Sequence, residues 1–600
     1  MTQRSPKTGA TRPPVAPHDP RVLVFACNWC SYAGADTAGV SRLPQTPHFR
    51  LLRVMCSGRV HPAHVLRAFR QGADGVMVSG CHFGDCHYLF GNHRAAEQFE
   101  RTRALAGLLG LEPERVHLEW ISAAEGSRFA ETMNDFVAQV RRAGPSPIAP
   151  RPAGPGTAAG PAPADAGCAG PARPGAAEVF ACLECGRCSA VCPVARHQRF
   201  SPRRLITRAL SASPEALAQD ASLWACLTCY GCEAVCPVRI DYGRFILSAR
   251  AEAVRSLSVS RCDPVVDTSL PPAENAGAPA TDERAGEGGL TPCSHGGVFR
   301  EISLIASRPG LRQQRLTWLE EDQPVEVLAE GDRAQGTDLF YVGCSPYFAA
   351  YFAGDTGAGL TASLRAAVRL LNRVSIRPAL LANERCCGYH LRLAGMSDEA
   401  EDLALAVAGQ IRASGAKRVI TYCPECLVAL RDILSRHKVD CTLAHLSQVL
   451  GAERQSLGRA VDEDAARPRV TYQDPCRLGR YVGVYERPRQ LLTEVAGAEL
   501  LEMAHHGEGA ICCGNTGWLN CNAATKRFQT ARLEEAAATG TQTLITACPG
   551  CYLHLRCARE GLTEGPAAAV EIVDLWSFVE RGLPASRREI RAAVPSDAAS

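Results

Sequence analysis

The sequence predicts a multidomain chain: an α/β N-terminal parallel-sheet domain, a short α-helical domain dense in cysteine, and two repeated α/β domains behind it. Three observations lead there. The first is length, since 600 residues exceed what one hydrophobic core serves and suit roughly three to five domains. The second is a pair of Pro/Ala/Gly-rich stretches, 144–177 and 253–289, the latter centred on Asp263–Gly289. Such stretches bury too little apolar surface to fold and act as linkers. The third is an internal repeat: Cys344, Cys386, Cys387, Cys423 and Cys426 recur as Cys476, Cys512, Cys513, Cys548 and Cys551, at offsets of 132, 126 and 125 residues. The resulting boundaries are a tail over 1–20, domains over 21–143, 178–252, 290–455 and 468–585, and a tail over 586–600.

In the N-terminal domain, strands are expected at Val22–Ala26, Leu51–Met55, Gly75–Ser79 and His117–Ile121. Between the second and third, Pro62 suits a first helical turn, Val65, Leu66 and Phe69 line one face, and Gly72 ends the helix. This alternation implies a small parallel sheet. Three strands run into Cys27, Cys56 and Cys81, and ligands of open α/β sheets gather beyond the carboxyl ends of strands. In the repeat, Gly415 and Gly540 each end a helix eight residues before a Cys-Pro-x-Cys turn. The first of these helices shows Leu403, Val407 and Ile411 on one face, with Ser397 or Asp398 as its cap. Strands at Val419–Tyr422 and Leu544–Ala547 deliver the cysteine pairs.

Composition narrows the chemistry. An apolar fraction of 46% lets each domain bury a core, and a net charge of +3 with no basic stripe argues against nucleic acid as a partner. No apolar run approaches the ~20 residues of a membrane span, so no integral membrane segment is expected. MTQRSPKTGATRPP lacks the apolar core of an export signal, which points to the cytoplasm. An odd total of 29 cysteines argues against a disulfide framework and for metal. Six lie outside the ordered groups (Cys168, Cys262, Cys293, Cys441, Cys521 and Cys557) and are expected to be plain thiols.

The middle of the chain carries the most specific pattern. Cys182, Cys185, Cys188 and Cys192 precede Pro193, and Cys226, Cys229, Cys232 and Cys236 precede Pro237. Each run is C-x2-C-x2-C-x3-C-P, in which three thiolates of one loop take three corners of a [4Fe–4S] cube and the fourth cysteine reaches the other cluster. Cys182, Cys185 and Cys188 thus pair with Cys236, and Cys226, Cys229 and Cys232 with Cys192. A zinc site would gather four donors in two spaced pairs, which fits this pattern poorly. The stretch resembles bacterial-type two-cluster ferredoxin domains.

In the repeat, each copy has a lone cysteine, then Cys-Cys-Gly, then Cys-Pro-x-Cys: GCSPYF, ERCCGYH and YCPEC, then DPCRLG, ICCGNTG and ACPGC. The glycine lets backbone approach a cluster closely. These motifs resemble the CCG domains of the B-type component of heterodisulfide reductase. With the ferredoxin-like domain, which takes the place of the C-type component, they resemble a fusion of the two. The resemblance implies a non-cubane [4Fe–4S] cluster in each five-cysteine set and disulfide cleavage by one-electron steps. A structural zinc or cubane centre is the alternative. The spacing from Cys344 to Cys386 is 42 residues against 36 in the second copy, a departure that bears on the geometry of the first site.

FACNWC, RVMCSGRV and GCHFGDCHY, over roughly 21–142, resemble the delta subunit of methyl-viologen-reducing hydrogenase. That family implies one [2Fe–2S] cluster and electron delivery to heterodisulfide reductase. Cys27, Cys30, Cys56, Cys81 and Cys86 compete for four places, so one is spare. His82 and His87 are expected beside the iron or at the surface rather than on the iron, and Asn28 and Trp29 are expected to shape the loop. The combined resemblance implies an iron–sulfur oxidoreductase of heterodisulfide reductase type. Its expected partners are a heterodisulfide reductase A-like flavoprotein and a hydrogenase or formate dehydrogenase. No G-x-G-x-x-G follows a strand, so flavin is expected in a partner rather than in this chain. The alternative is an electron conduit without a substrate, as in the iron–sulfur subunits of glycolate and glycerol-3-phosphate oxidation. The linkers imply that the terminal domains move relative to the middle one.

Overall fold

The computed structural model describes residues 18–148, 179–198, 200–256, 294–308, 310–354, 356–357, 359–458, 466–516, 518–519 and 521–584. Cys168, Cys262, Cys293, most of both expected linkers and most of both tails lie outside them. The described residues form two compact units, 18–148 and 179–584.

The first unit is a four-stranded sheet of β1 (Val22–Cys27), β2 (Phe49–Val54), β3 (Gly75–Gly80) and β4 (Val116–Trp120), in the order β2-β1-β3-β4. Every pairing is parallel, as the apolar runs separated by helices require. Helices α1 (Ser31–Val40), α2 (Pro62–Arg70), α3 (Gly91–Leu108) and α4 (Gly126–Ala143) make the crossovers. Val24, Met77, Phe129, Met133 and Val137 form its core. The unit continues past the expected end at residue 143. The buried guanidinium of Arg115 collects the carbonyls of Ala143, Gly144 and Pro145, Ser146 N–H donates to Asp74, and Ile148 is fully buried.

The second unit opens with the short helical stretch that carries both C-x2-C-x2-C-x3-C-P runs, ending in the helix Tyr242–Ser256. That helix runs four residues past the expected boundary because Ala249, Ala251 and Ala253 keep a buried face. The repeat is visible as topology. The first module orders its strands β5-β7-β6-β8-β9 (Glu326–Leu328, Ala379–Leu381, Asp338–Tyr341, Arg418–Thr421, Thr442–His445). The second orders them β11-β10-β12-β13 (Glu499–Leu500, Arg469–Gln473, Thr543–Thr546, Glu571–Asp574). All pairings are parallel, and β5 is an edge strand with no counterpart among the described residues of the second copy. The helix Ser397–Ser414 ends at Gly415 (φ 70°), but its cap position is Met396, so Ser397 and Asp398 lie inside its first turn.

The cysteine-dense stretch and the two modules do not form separate cores. Leu223, Phe245 and Ile246 join Leu391, Leu393 and Met396 of the first module in one apolar cluster. Another joins Phe340, Leu364 and Leu371 to Tyr472, Ile545 and Trp576 across the two modules. Apolar faces buried against each other hold these parts as one body, which departs from the expected movement of the C-terminal domains relative to the middle one.

Candidate metal centres

In the first unit, Cys27 ends β1, Cys56 follows β2 and Cys81 follows β3, so three adjacent parallel strands deliver cysteines to one sheet edge. Cys27 Sγ lies 3.7 Å from Cys81 Sγ. Cys56 and Cys86 meet over Gly91, where a Cβ would stand 2.2 Å from Cys56 Sγ and 3.1 Å from Cys86 Sγ. Cys27, Cys56, Cys81 and Cys86 are buried, whereas Cys30 is half-buried at the start of α1 beside Cys81. Neither histidine turns to the sulfurs. His82 pairs with Glu125 at 2.7 Å, and His87 stacks on Trp29 with ring centroids 3.8 Å apart.

The two C-x2-C-x2-C-x3-C-P loops share one backbone conformation. Glu184 and Thr228, two residues after the first cysteine of each run, have positive φ, as do Gly186 and Tyr230 two residues later. The first of these turns aims a backbone N–H at sulfur: Glu184 N to Cys182 Sγ at 3.5 Å and Thr228 N to Cys226 Sγ at 3.3 Å. One pocket is lined by Cys182, Cys185, Cys188, Cys232 and Cys236. Cys192 instead faces Cys226, Cys229 and Cys232.

In each repeated module the cysteines again follow strands: Cys344, Cys386 and Cys423 after β6, β7 and β8, and Cys476 and Cys548 after β10 and β12. Cys344 Sγ is 3.8 Å from Cys386 Sγ, and Cys476 Sγ is 3.9 Å from Cys512 Sγ. Cys387 neighbours Cys426, and Cys513 neighbours Cys551. The glycine of each Cys-Cys-Gly has positive φ, 72° at Gly388 and 87° at Gly514, and donates its N–H to the first cysteine of the pair. A side chain at either position would be strained, which accounts for the repeated glycine. The modules meet beside these sets, where Asn515 donates to Glu425 at 3.1 Å, His390 approaches Glu425 at 4.0 Å, and the Trp518 ring lies 5.0 Å from His554.

The donor sets suit iron–sulfur clusters on two counts. Burial pushes the thiols of Cys56 and Cys192 up to about 12 and that of Cys226 up to about 11. Thiolates at those positions therefore need metal to hold them. Conversely, two buried guanidiniums and a half-buried one lack anions. Arg250 donates to the carbonyls of Leu223, Cys226 and Leu393. Arg477 donates to Cys476 Sγ, Leu227 O, Thr228 Oγ1 and Tyr389 OH. Arg480 donates to the carbonyls of Cys229, Glu508 and Ala510. None forms an ion pair with a carboxylate among the described residues, and a buried charge left unpaired costs several kcal/mol. Thiolate-bound clusters carry the missing negative charge.

The three arginines escaped the sequence reading. The visible hint for two of them was DPCRLGR, where two arginines follow a cysteine with one acid before it. Cys441, Cys521 and Cys557 stand apart from the five sets, and Lys526 Nζ lies 3.0 Å from Cys557 Sγ.

Fold and sites together define an iron–sulfur oxidoreductase built from several domains. Residues 22–144 match the methyl-viologen-reducing hydrogenase delta subunit family, 178–240 the 4Fe-4S dicluster domain, and 339–431 and 470–556 the cysteine-rich CCG domain. The iron-sulfur D subunit of the F420-non-reducing hydrogenase vhc of Methanococcus voltae is 49% identical over 21% of this chain and 88% of its own length. The D subunit of the dihydromethanophenazine:CoB–CoM heterodisulfide reductase of Methanosarcina acetivorans is 28% identical over 49% of this chain and 69% of its own. The A subunit of a ferredoxin/F420H2-dependent CoB–CoM heterodisulfide reductase from the same organism is 46% identical over 21% of this chain but only 16% of its own. Through residues 22–144 the chain belongs to the hydrogenase delta-subunit family, and behind that domain it carries a dicluster domain and two CCG domains. No helix among the described residues is long and apolar enough to cross a membrane.

Proposed function

We propose that this chain relays low-potential electrons to a site between its CCG modules, where a disulfide is reduced to two thiols. The overall change is RSSR′ + 2e⁻ + 2H⁺ → RSH + R′SH. Electrons come from a hydrogenase, formate dehydrogenase or flavoprotein partner, in keeping with relatives that are named as subunits of hydrogenase and heterodisulfide reductase. In this reading four of Cys27, Cys30, Cys56, Cys81 and Cys86 hold a [2Fe–2S] cluster, the dicluster cysteines hold two cubanes, and each CCG set holds a non-cubane [4Fe–4S] cluster. Bound there, the clusters supply electrons singly.

The observation that carries the proposal is the convergence of both five-cysteine sets at one dry module boundary, with Cys423 and Glu425 near Cys548. The chain's own residues supply the rest. Phe299, Phe348, Phe352 and Trp518 pack with ring centroids 4.6–5.8 Å apart and exclude water. Gln529 donates to Nδ1 of His554, so the imidazole proton sits on Nε2, which has no other partner among the described residues. That N–H can donate a hydrogen bond to a departing thiolate and stabilise its charge, while the two protons of the overall change come from solvent.

Iron and acid-labile sulfide measured on anaerobically purified chain, with EPR on the same sample, test the reading. About 18 irons per chain are expected, with a CCG signal that changes when thiol is added. About 10 irons in a folded, reconstituted sample means empty CCG modules and removes the proposal. About 14, with no response to thiol, leaves an electron conduit without a substrate.

A further inference from the structure

The two CCG modules differ in charge at equivalent places. In the second, Arg477 follows Cys476 directly and points Nη1 at its sulfur from 2.8 Å. Its other donors reach Leu227 O (3.2 Å) and Thr228 Oγ1 (2.7 Å) in the dicluster loop and Tyr389 OH (3.2 Å) in the first module. Arg480 adds a bond to Cys229 O at 2.7 Å. In the first module the residue after Cys344 is Ser345. The buried guanidinium of Arg315, beside Cys344, is neutralised by Glu384 at 2.9 Å, and that of Arg385, next to Cys386 in sequence, is turned to the carbonyls of Ala306 and Arg308.

The dicluster loop, which packs on both modules, meets the second through a thiol and an aromatic ring. The Cys229 thiol meets that of Cys512. The rings of Tyr230 and Tyr481 stack with centroids 3.7 Å apart and planes 8° from parallel, and Tyr481 OH donates to Thr228 O. A positive charge held in a low-dielectric interior favours whichever neighbouring centre has gained an electron. The module whose lone cysteine receives an unpaired guanidinium is also the one whose Cys512 meets the dicluster thiol of Cys229.

We propose that electrons enter the CCG pair through the second module and that Arg477 is the positioning residue that makes this module the acceptor. The inference rests on the function proposed above and adds a direction within it. Arg477 links all three parts at one atom group, so its charge acts at the junction itself.

The test uses the full chain, reconstituted without oxygen, as wild type, Arg477→Met and Arg477→Lys. Iron content and EPR-monitored redox titrations are the readouts. The second-module signal is assigned by its loss in Cys513→Ala. Arg477→Met is expected to shift the midpoint potential of that signal downward while the first-module signal stays in place. Arg477→Lys, which keeps the charge, is expected to return it towards wild type. A wild-type potential in Arg477→Met at full iron content overturns the inference alone. So does an equal shift of both signals, or a shift in Arg477→Lys as large as in Arg477→Met. If Arg477→Met fails to fold, Arg480→Met carries the same expectation in smaller measure, and an unshifted potential there overturns it. Wild-type chain with only about 10 irons overturns the functional reading on which it stands.

Discussion

Gly91 has no room for a side chain, because the thiols of Cys56 and Cys86 occupy the place where its Cβ would project. Gly91→Ala must push those sulfurs apart or move the start of α3, and overpacking of this kind costs about 1–3 kcal/mol. The expected result is a loss of about two irons per chain and a lower melting temperature, with the dicluster and CCG signals retained. Full iron in Gly91→Ala would mean that Cys56 and Cys86 do not share a cluster. At this scale the cysteines themselves were legible, because ligands of a [4Fe–4S] loop sit within a few residues of one another. The arginines were not. Arg250 reaches Leu393 across 143 residues and Arg477 reaches Thr228 across 249. A charge whose partner is a cluster rather than a carboxylate leaves no mark in local sequence. Five candidate thiols in the N-terminal unit likewise gave no ranking until burial set Cys30 apart from the other four.

Elements carry the sites in one recurring way, a parallel strand that ends in a cysteine and feeds a helix, seen at Cys27, Cys344 and Cys423 alike. That rhythm was legible from apolar runs and from the glycines that close the preceding helices. The edge strand β5 (Glu326–Leu328) was not, because three residues with one buried side chain carry no periodicity. The dicluster stretch joins the second module through an aromatic element. The helix Tyr242–Ser256 places Gly243 so that a Cβ would stand 2.1–2.4 Å from atoms of the Tyr230 ring. Gly243→Ala therefore turns Tyr230 off its stack with Tyr481, at an expected cost of about 1–3 kcal/mol in urea or thermal melts. In a Tyr230→Ala background the same substitution is expected to cost much less, since the clash and the stack are both gone. Equal costs in the two backgrounds would show that the effect lies in the helix backbone and not in the aromatic contact.

For the whole molecule, the question is which parts can fold alone. Among the described residues, the sheet of the first unit is made of its own four strands, and its core of Val24, Met77, Phe129 and Val137 lies within it. The dicluster stretch is different. Its Leu223, Phe245 and Ile246 share a core with Leu391, Leu393 and Met396, and Arg250 ties its own helix to Leu393 O at 3.0 Å. Cutting there exposes apolar surface, at about 25 cal/mol per Å², and removes the partner of a buried guanidinium donor. A stretch this short, whose buried side chains are completed by those of the first module, has little margin to absorb both losses. Residues 18–148 produced alone are thus expected to melt in one cooperative transition and to hold about two irons. Residues 179–256 alone are expected to show no cooperative transition even with iron and sulfide supplied, while 179–584 folds with the remaining clusters. A cooperative melt of 179–256 near the temperature of the parent chain would mean that its two clusters, and not the shared core, provide its stability. The contacts through Arg250, Arg477 and Arg480 would then be a junction between self-sufficient bodies.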